Sequence, residues 1–122
     1  MNFAGKRILI APMSPTSKAL ADALQAHEPT LEILGYLDNY KTGSDVFSLD
    51  QIKTHAFDWV LILSPNHFDS LYRDLKRRVS LSQLVKVQIE AYQYRFYDHT
   101  QIRRQRRGER YQTLKLTCLQ WL

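Results

Sequence analysis

Lys6-Arg7-Ile8-Leu9-Ile10-Ala11-Pro12-Met13-Ser14-Pro15-Thr16-Ser17 (KRILIAPMSPTS) opens charged, becomes a continuous apolar run, and breaks at once into a polar turn with two prolines. A short apolar run bounded by a turn predicts a buried strand. Directly after it, Ala19, Leu20, Ala23 and Leu24 recur at helical spacing, with Lys18 and Asp22 off that stripe. Ser14 suits the N-cap, and Pro15 suits the first helical position, where its missing N–H costs nothing. Pro29 bounds the helix.

The same chemistry returns further along the chain. Asp58–Ser64 (DWVLILS) is the most apolar run and predicts a central strand. Pro65 follows, and Phe68, Leu71, Tyr72, Leu75 and Val79 then fall at i, i+3, i+4, i+7 and i+11, the spacing of an amphipathic helix. Between these units, Leu31–Leu37 (LEILGYL) predicts a second strand closed by Asp38-Asn39. The segment 39–45 (NYKTGSD) reads as a loop and Val46-Phe47 as a very short strand. Ser48-Leu49-Asp50-Gln51 has capping-box spacing for a short helix through His55. The alternation β-α-β-(β)-α-β-α predicts an α/β fold: a three-layer Rossmann-like domain with a mainly parallel sheet and helices on both faces.

After Ser80, Val85, Val87, Ile89 and Ala91 alternate with Lys86, Gln88 and Glu90, as in a one-sided strand. The apolar phase then shifts to Tyr92, Tyr94 and Phe96, which predicts a bulge or a break. The expected organisation is a Rossmann-like domain over residues 1–100 and a basic C-terminal extension over 101–122. The apolar Trp121-Leu122 end either packs back on the sheet or leads into a missing downstream domain.

Composition narrows the class. The chain has 122 residues, 44% hydrophobic and 24% charged, enough for one real core. No apolar run reaches a membrane span, and Met1–Gly5 is too short and polar for a secretory signal. Cys118 stands alone, so an internal disulfide is excluded and a reducing, cytoplasmic setting is expected. Charge is unevenly placed. Residues 1–72 carry five Lys/Arg against eight Asp/Glu, whereas residues 73–122 carry twelve against four. The peak is Arg103, Arg104, Arg106, Arg107 and Arg110, a polyanion-binding candidate because the guanidinium fork holds phosphate with two hydrogen bonds. Tyr92, Tyr94, Phe96, Tyr97 and Tyr111 flank it, and either stack on bases or cover one sheet face.

In a parallel sheet the two Ser-Pro turns lie on the carboxyl edge, where helix starts present unpaired N–H groups and partial positive charge. If the strands they end are neighbours where strand order reverses, a ligand crevice opens between them. The candidate binding residues are Ser14, Thr16 and Ser17 on one side, and Ser64, Asn66 and His67 on the other. Asp38, 24 residues after Ser14, is either an acceptor for ribose hydroxyls or a turn aspartate bonded to its own backbone. The first turn has no G-x-G-x-x-G, and Pro12 and Pro15 lack N–H donors, so no tightly bound NAD or FAD is expected.

The segments Lys6–Ala26, Ile33-Leu34-Gly35-Tyr36-Leu37-Asp38-Asn39 and Leu63-Ser64-Pro65-Asn66 together resemble the small Rossmann-like N-terminal module of bacterial surface-polysaccharide enzymes. Such modules precede sugar-nucleotide dehydratases, sugar acetyltransferases and polyol-phosphate transferases. The likeness covers roughly residues 5–80, with G-Y-L-D-N as its main carrier. It implies a pocket for a nucleotide or sugar nucleotide, with catalysis performed by a separate domain or partner enzyme.

No catalytic residue is assigned from the sequence. His27, His55, His67 and His99 show no metal-ligand spacing, and no metal is expected. No G-x-S-x-G and no Walker A motif occurs. The leading expectation is a binding module for a nucleotide or sugar-nucleotide phosphate, non-catalytic alone, in polysaccharide synthesis. The alternative is a nucleic-acid or protein interaction module acting through the Arg-rich segment. Whether the chain is an enzyme stays open, and a homo-oligomer is compatible with either reading.

Overall fold

The structure, a computed structural model, describes residues 1–63, 67–106 and 114–117. The sequence positions Ser64, Asn66, Arg107 and Arg110 lie outside the described residues, as does the side chain of Arg106.

The first apolar run forms β1 (Arg7–Ala11), and the helix after it is α1 (Pro15–His27). Ser14 caps α1: its hydroxyl oxygen accepts the Ser17 N–H at 3.0 Å, and Pro15 sits in the first turn. β2 (Glu32–Leu37) and β3 (Val46–Phe47) follow. The Ser48 capping box opens a 3₁₀ segment, Leu49–Thr54, and then come β4 (Trp59–Leu63) and α2 (Phe68–Leu75). α2 is shorter than the apolar spacing to Val79 predicts. Arg77 and Arg78 bond back only three residues, to Asp74 and Leu75, because Ser80 must be extended to cap the next 3₁₀ turn, Leu81–Gln83. The chain continues through β5 (Leu84–Glu90), β6 (Gln93–Tyr97), α3 (His99–Arg106) and β7 (Leu114–Thr117).

Among the described residues seven strands form one sheet in the order β3-β2-β1-β4-β5-β6-β7. The first five are mutually parallel, and β6 and β7 add antiparallel. This is an α/β fold with a mainly parallel sheet. Alternate strand residues feed two apolar clusters. Ile8, Ile10, Leu61, Val85, Val87, Tyr94 and Phe96 gather with Leu20 and Leu24 of α1. Leu9, Ala11, Val60, Ile62 and Leu84 gather with Leu49, Ile52, Phe68, Tyr72 and Leu75, and with Ile102 of α3.

Two local features explain details of the sequence. Gly35 has φ +148°, and a Cβ there would lie 2.5 Å from the Asp45 carbonyl oxygen and 2.7 Å from the Phe47 ring. The glycine is needed because β3 closes directly on β2 at this point. Here too the β1–β2 register slips past Leu34. The phase shift after Ala91 is a tight hairpin. Glu90 pairs with Gln93, and Ala91 and Tyr92 form the turn at φ 50° and 61°. The pairing sets odd-numbered residues of β5 opposite even-numbered residues of β6, so Val87 and Phe96 share one face. Of the aromatic residues expected to flank the arginines, Tyr94, Phe96 and Tyr97 are buried in the two cores and Tyr92 is exposed at the hairpin tip, while Tyr111 lies outside the described residues.

Candidate functional site

The strand order runs outward from β1 to β3, then returns to place β4 on the other side of β1. Ala11 stands opposite Ile62 in that pair, so the two strands end level. Over their carboxyl ends lies an open cleft of about 630 Å³. Its walls come from the turn after β1 (Pro12, Met13, Ser14, Thr16), the loop after β2 (Asp38–Lys41) and the start of α2 (His67, Ser70, Leu71, Asp74). Leu49, Leu63 and Ile89 supply apolar floor and sides.

Ser14, Thr16, Asp38 and His67 of the sequence-predicted set thus face one space. Ser17 does not line it. Its side chain is fully buried, and its hydroxyl donates to the Pro12 carbonyl oxygen and pairs with the Ser14 hydroxyl at 3.0 Å. Ser17 is a lock on the turn that presents Ser14 and Thr16. His67 is exposed, at the N-cap position of α2, with no capping bond from its ring.

Asp38 is 8% exposed and works mainly on the backbone. One carboxylate oxygen accepts the N–H groups of Tyr40 at 2.8 Å and Lys41 at 3.1 Å, which folds the loop after β2. The other accepts the Met13 N–H at 3.2 Å, across from the turn after β1. A carboxylate offers about four lone-pair positions, so these three bonds leave one acceptor position unused. Lys41 was not singled out in the sequence, yet its ammonium donates to the Met13 carbonyl oxygen at 2.6 Å and places a positive charge at the cleft. Tyr40 beside it is 96% exposed, a bare ring on the same rim. The signal for both was their place within three residues of an acidic strand end on the carboxyl edge; loop composition alone masked it. Asn39 holds the loop from below by accepting the Leu49 N–H at 2.9 Å.

The cleft charges are mixed. Lys41 contributes a cation, and Asp38 and Asp74 contribute anions, the latter held 3.3 Å from Arg78. Behind the cleft, on β2, burial pushes the Tyr36 phenol up from its usual range, and the carboxylates of Asp45 and Asp22 add to the effect. Among the described residues no group of three or more His, Cys, Asp or Glu side chains converges to hold a metal ion. None of their helices is long and apolar enough to cross a membrane. The arrangement offers hydroxyls, a helix start, one lysine cation beside two carboxylates, an exposed ring and a shallow apolar floor. Comparison with protein-family models, with curated proteins and with solved structures finds no match to this chain.

Proposed function

We propose that this chain is a Rossmann-like, three-layer binding module that holds the phosphate of a nucleotide or sugar nucleotide in the carboxyl-edge cleft and is non-catalytic on its own. The observation that carries the reading is the reversal of strand order between β1 and β4 directly beneath the cleft, the position at which open α/β sheets take ligands. Phosphate would sit against the α1 start at Ser14 and Thr16, with Lys41 supplying charge and Asp38 its remaining acceptor position. The exposed Tyr40 ring offers a stacking face to a base. His67 would close the far side. A module of this kind serves a catalytic partner or further domain, and the resemblance of its first 80 residues suggests surface-polysaccharide synthesis in the cytoplasm.

The test is a thermal-shift and calorimetric screen against nucleoside mono- and diphosphates, sugar nucleotides and dinucleotides, at low and high salt. Saturation at about one hundred times Kd stabilises by about 2.7 kcal/mol, a shift of about 10 °C for a domain of this size. The expected result is a salt-tolerant shift with one nucleotide class that is much reduced in Lys41→Gln and in Tyr40→Ala. Absence of any shift, or shifts untouched by both substitutions, would overturn the proposal.

A further inference from the structure

The cleft uses none of the cations on α2 and α3. Arg73 in the last turn of α2, and Lys76 and Arg77 in the turn directly after it, are all exposed, a short basic stripe at the helix end. Arg103 and Arg104 are exposed on α3. The two helices belong to the same side of the sheet, since Phe68 and Tyr72 of α2 share an apolar cluster with Ile102 of α3. Lys86 on β5 joins them underneath. Its ammonium lies 4.8 Å from the centroid of the Phe68 ring and 3.1 Å from the Gln105 side-chain oxygen. The five exposed cations therefore share one outer face, on which α2 contributes Asp69 and the Arg78-paired Asp74 and α3 contributes no acid. A shallow depression beside the stripe is lined by Asp69, Tyr72, Arg73 and Lys76.

We propose that this face docks the phosphate backbone of duplex nucleic acid. Its charge calls for a polyanion, and three observations choose among polyanions. The aromatic rings of these helices and of the strand end beside them, Phe68, Tyr72 and Tyr97, are all buried, so among the described residues the face offers no ring on which single-stranded bases would stack. Among the described residues the exposed large apolar side chains are Met1, Tyr40, Leu81 and Tyr92, none on α2 or α3; Leu81, on the 3₁₀ turn packed on α3, stands alone beside the face. A protein partner would want such an anchor at the centre of its interface, and a membrane surface would want one to insert. What remains is cation-to-phosphate contact without base reading, the mode that duplexes support.

The experiment is fluorescence anisotropy with a labelled mixed-sequence duplex DNA across a salt series. The comparison probes are the matching single strand, poly-glutamate and anionic vesicles. Five cations on phosphates make Kd rise about 500-fold between about 50 and 200 mM salt; with three removed the rise falls to about 12-fold. The triple variant Arg73→Gln/Lys76→Gln/Arg77→Gln is expected to show the shallow dependence with an unchanged circular dichroism spectrum. Arg103→Gln/Arg104→Gln is expected to lie between it and the parent, and it carries the test should the triple variant misfold. No duplex binding at low salt overturns the proposal. So does a salt dependence that neither variant changes, and so does equal affinity for the single strand, poly-glutamate or vesicles.

Discussion

Replacing Asp38 separates two roles that a single carboxylate at a strand end can hold. If its work were confined to a ligand, Asp38→Ala would leave the empty protein as stable as before. The geometry says otherwise. Three backbone N–H groups, of Met13, Tyr40 and Lys41, end on its oxygens at 2.8–3.2 Å. Bonds to a charged acceptor contribute about 1.5–3 kcal/mol each. All three bonds are part-buried, so water replaces only some of what the N–H groups lose. Desolvating the carboxylate also offsets part of the gain. The net expectation is a loss of about 2–4 kcal/mol for Asp38→Ala, or about 8–16 °C in Tm. Asp38→Asn keeps an acceptor for the loop but turns an NH₂ toward the Met13 N–H, and should lose about 1–2 kcal/mol. Urea denaturation followed by far-UV circular dichroism measures both, with m unchanged if only stability has moved. A midpoint for Asp38→Ala within about 0.5 kcal/mol of the parent would refute the structural role and leave the carboxylate free for a ligand.

Three further outcomes are expected. Gly35→Ala forces a Cβ into the Asp45 carbonyl at 2.5 Å and should cost about 2–4 kcal/mol or prevent folding, read by denaturant midpoint and soluble yield. Replacing the turn pair by Ala91→Asn with Tyr92→Gly removes two left-handed residues that lack glycine's freedom, and should stabilise by about 1–2 kcal/mol in the same assay. Because the Tyr36 phenol is raised in the folded state, its contribution is fully present below the unfolded value of 10.0 and is lost as pH climbs through the folded value. Stability of the parent should accordingly fall more steeply above pH 10.0 than that of Tyr36→Phe, measured by urea midpoints over that range.

The parallel part of the sheet was readable because local chemistry and tertiary demand agree there. Isoleucine-rich runs buried on both faces have no competing helical period, and Ser14-Pro15 states a helix start without ambiguity. The β5–β6 hairpin was only half legible. Its period shift was visible, but Glu90-Ala91-Tyr92-Gln93 holds no Gly, Asn or Asp to announce a turn, since the pairing of Val87 with Phe96 and Ile89 with Tyr94 enforces it from outside. α3 was hidden for a related reason. Only Ile102 marks its buried side, and one apolar residue makes no period. In the cleft, Ser14, Thr16, Asp38 and His67 of the sequence candidates line the space, Ser17 does not, Ser64 and Asn66 lie outside the described residues, and the string does not show how each is spent. Ser17 and Ser14 look alike in a string, yet one is sealed beneath the other. Lys41 gained its place from a contact with Met13 that is 28 positions away.

Met13 has both of its backbone polar groups taken by the loop after β2: Asp38 holds its N–H and Lys41 its carbonyl. The consequence is mechanical. The turn after β1 and the loop after β2 cannot slide past each other without giving up both bonds, so together they form a fixed jaw. The opposing jaw, His67 with the first turns of α2, follows β4, the neighbour of β1 in the sheet. A ligand that bridges the two jaws would register as slowed amide exchange in Phe68–Leu75, while Met13, already held at both backbone groups, stays as protected as before.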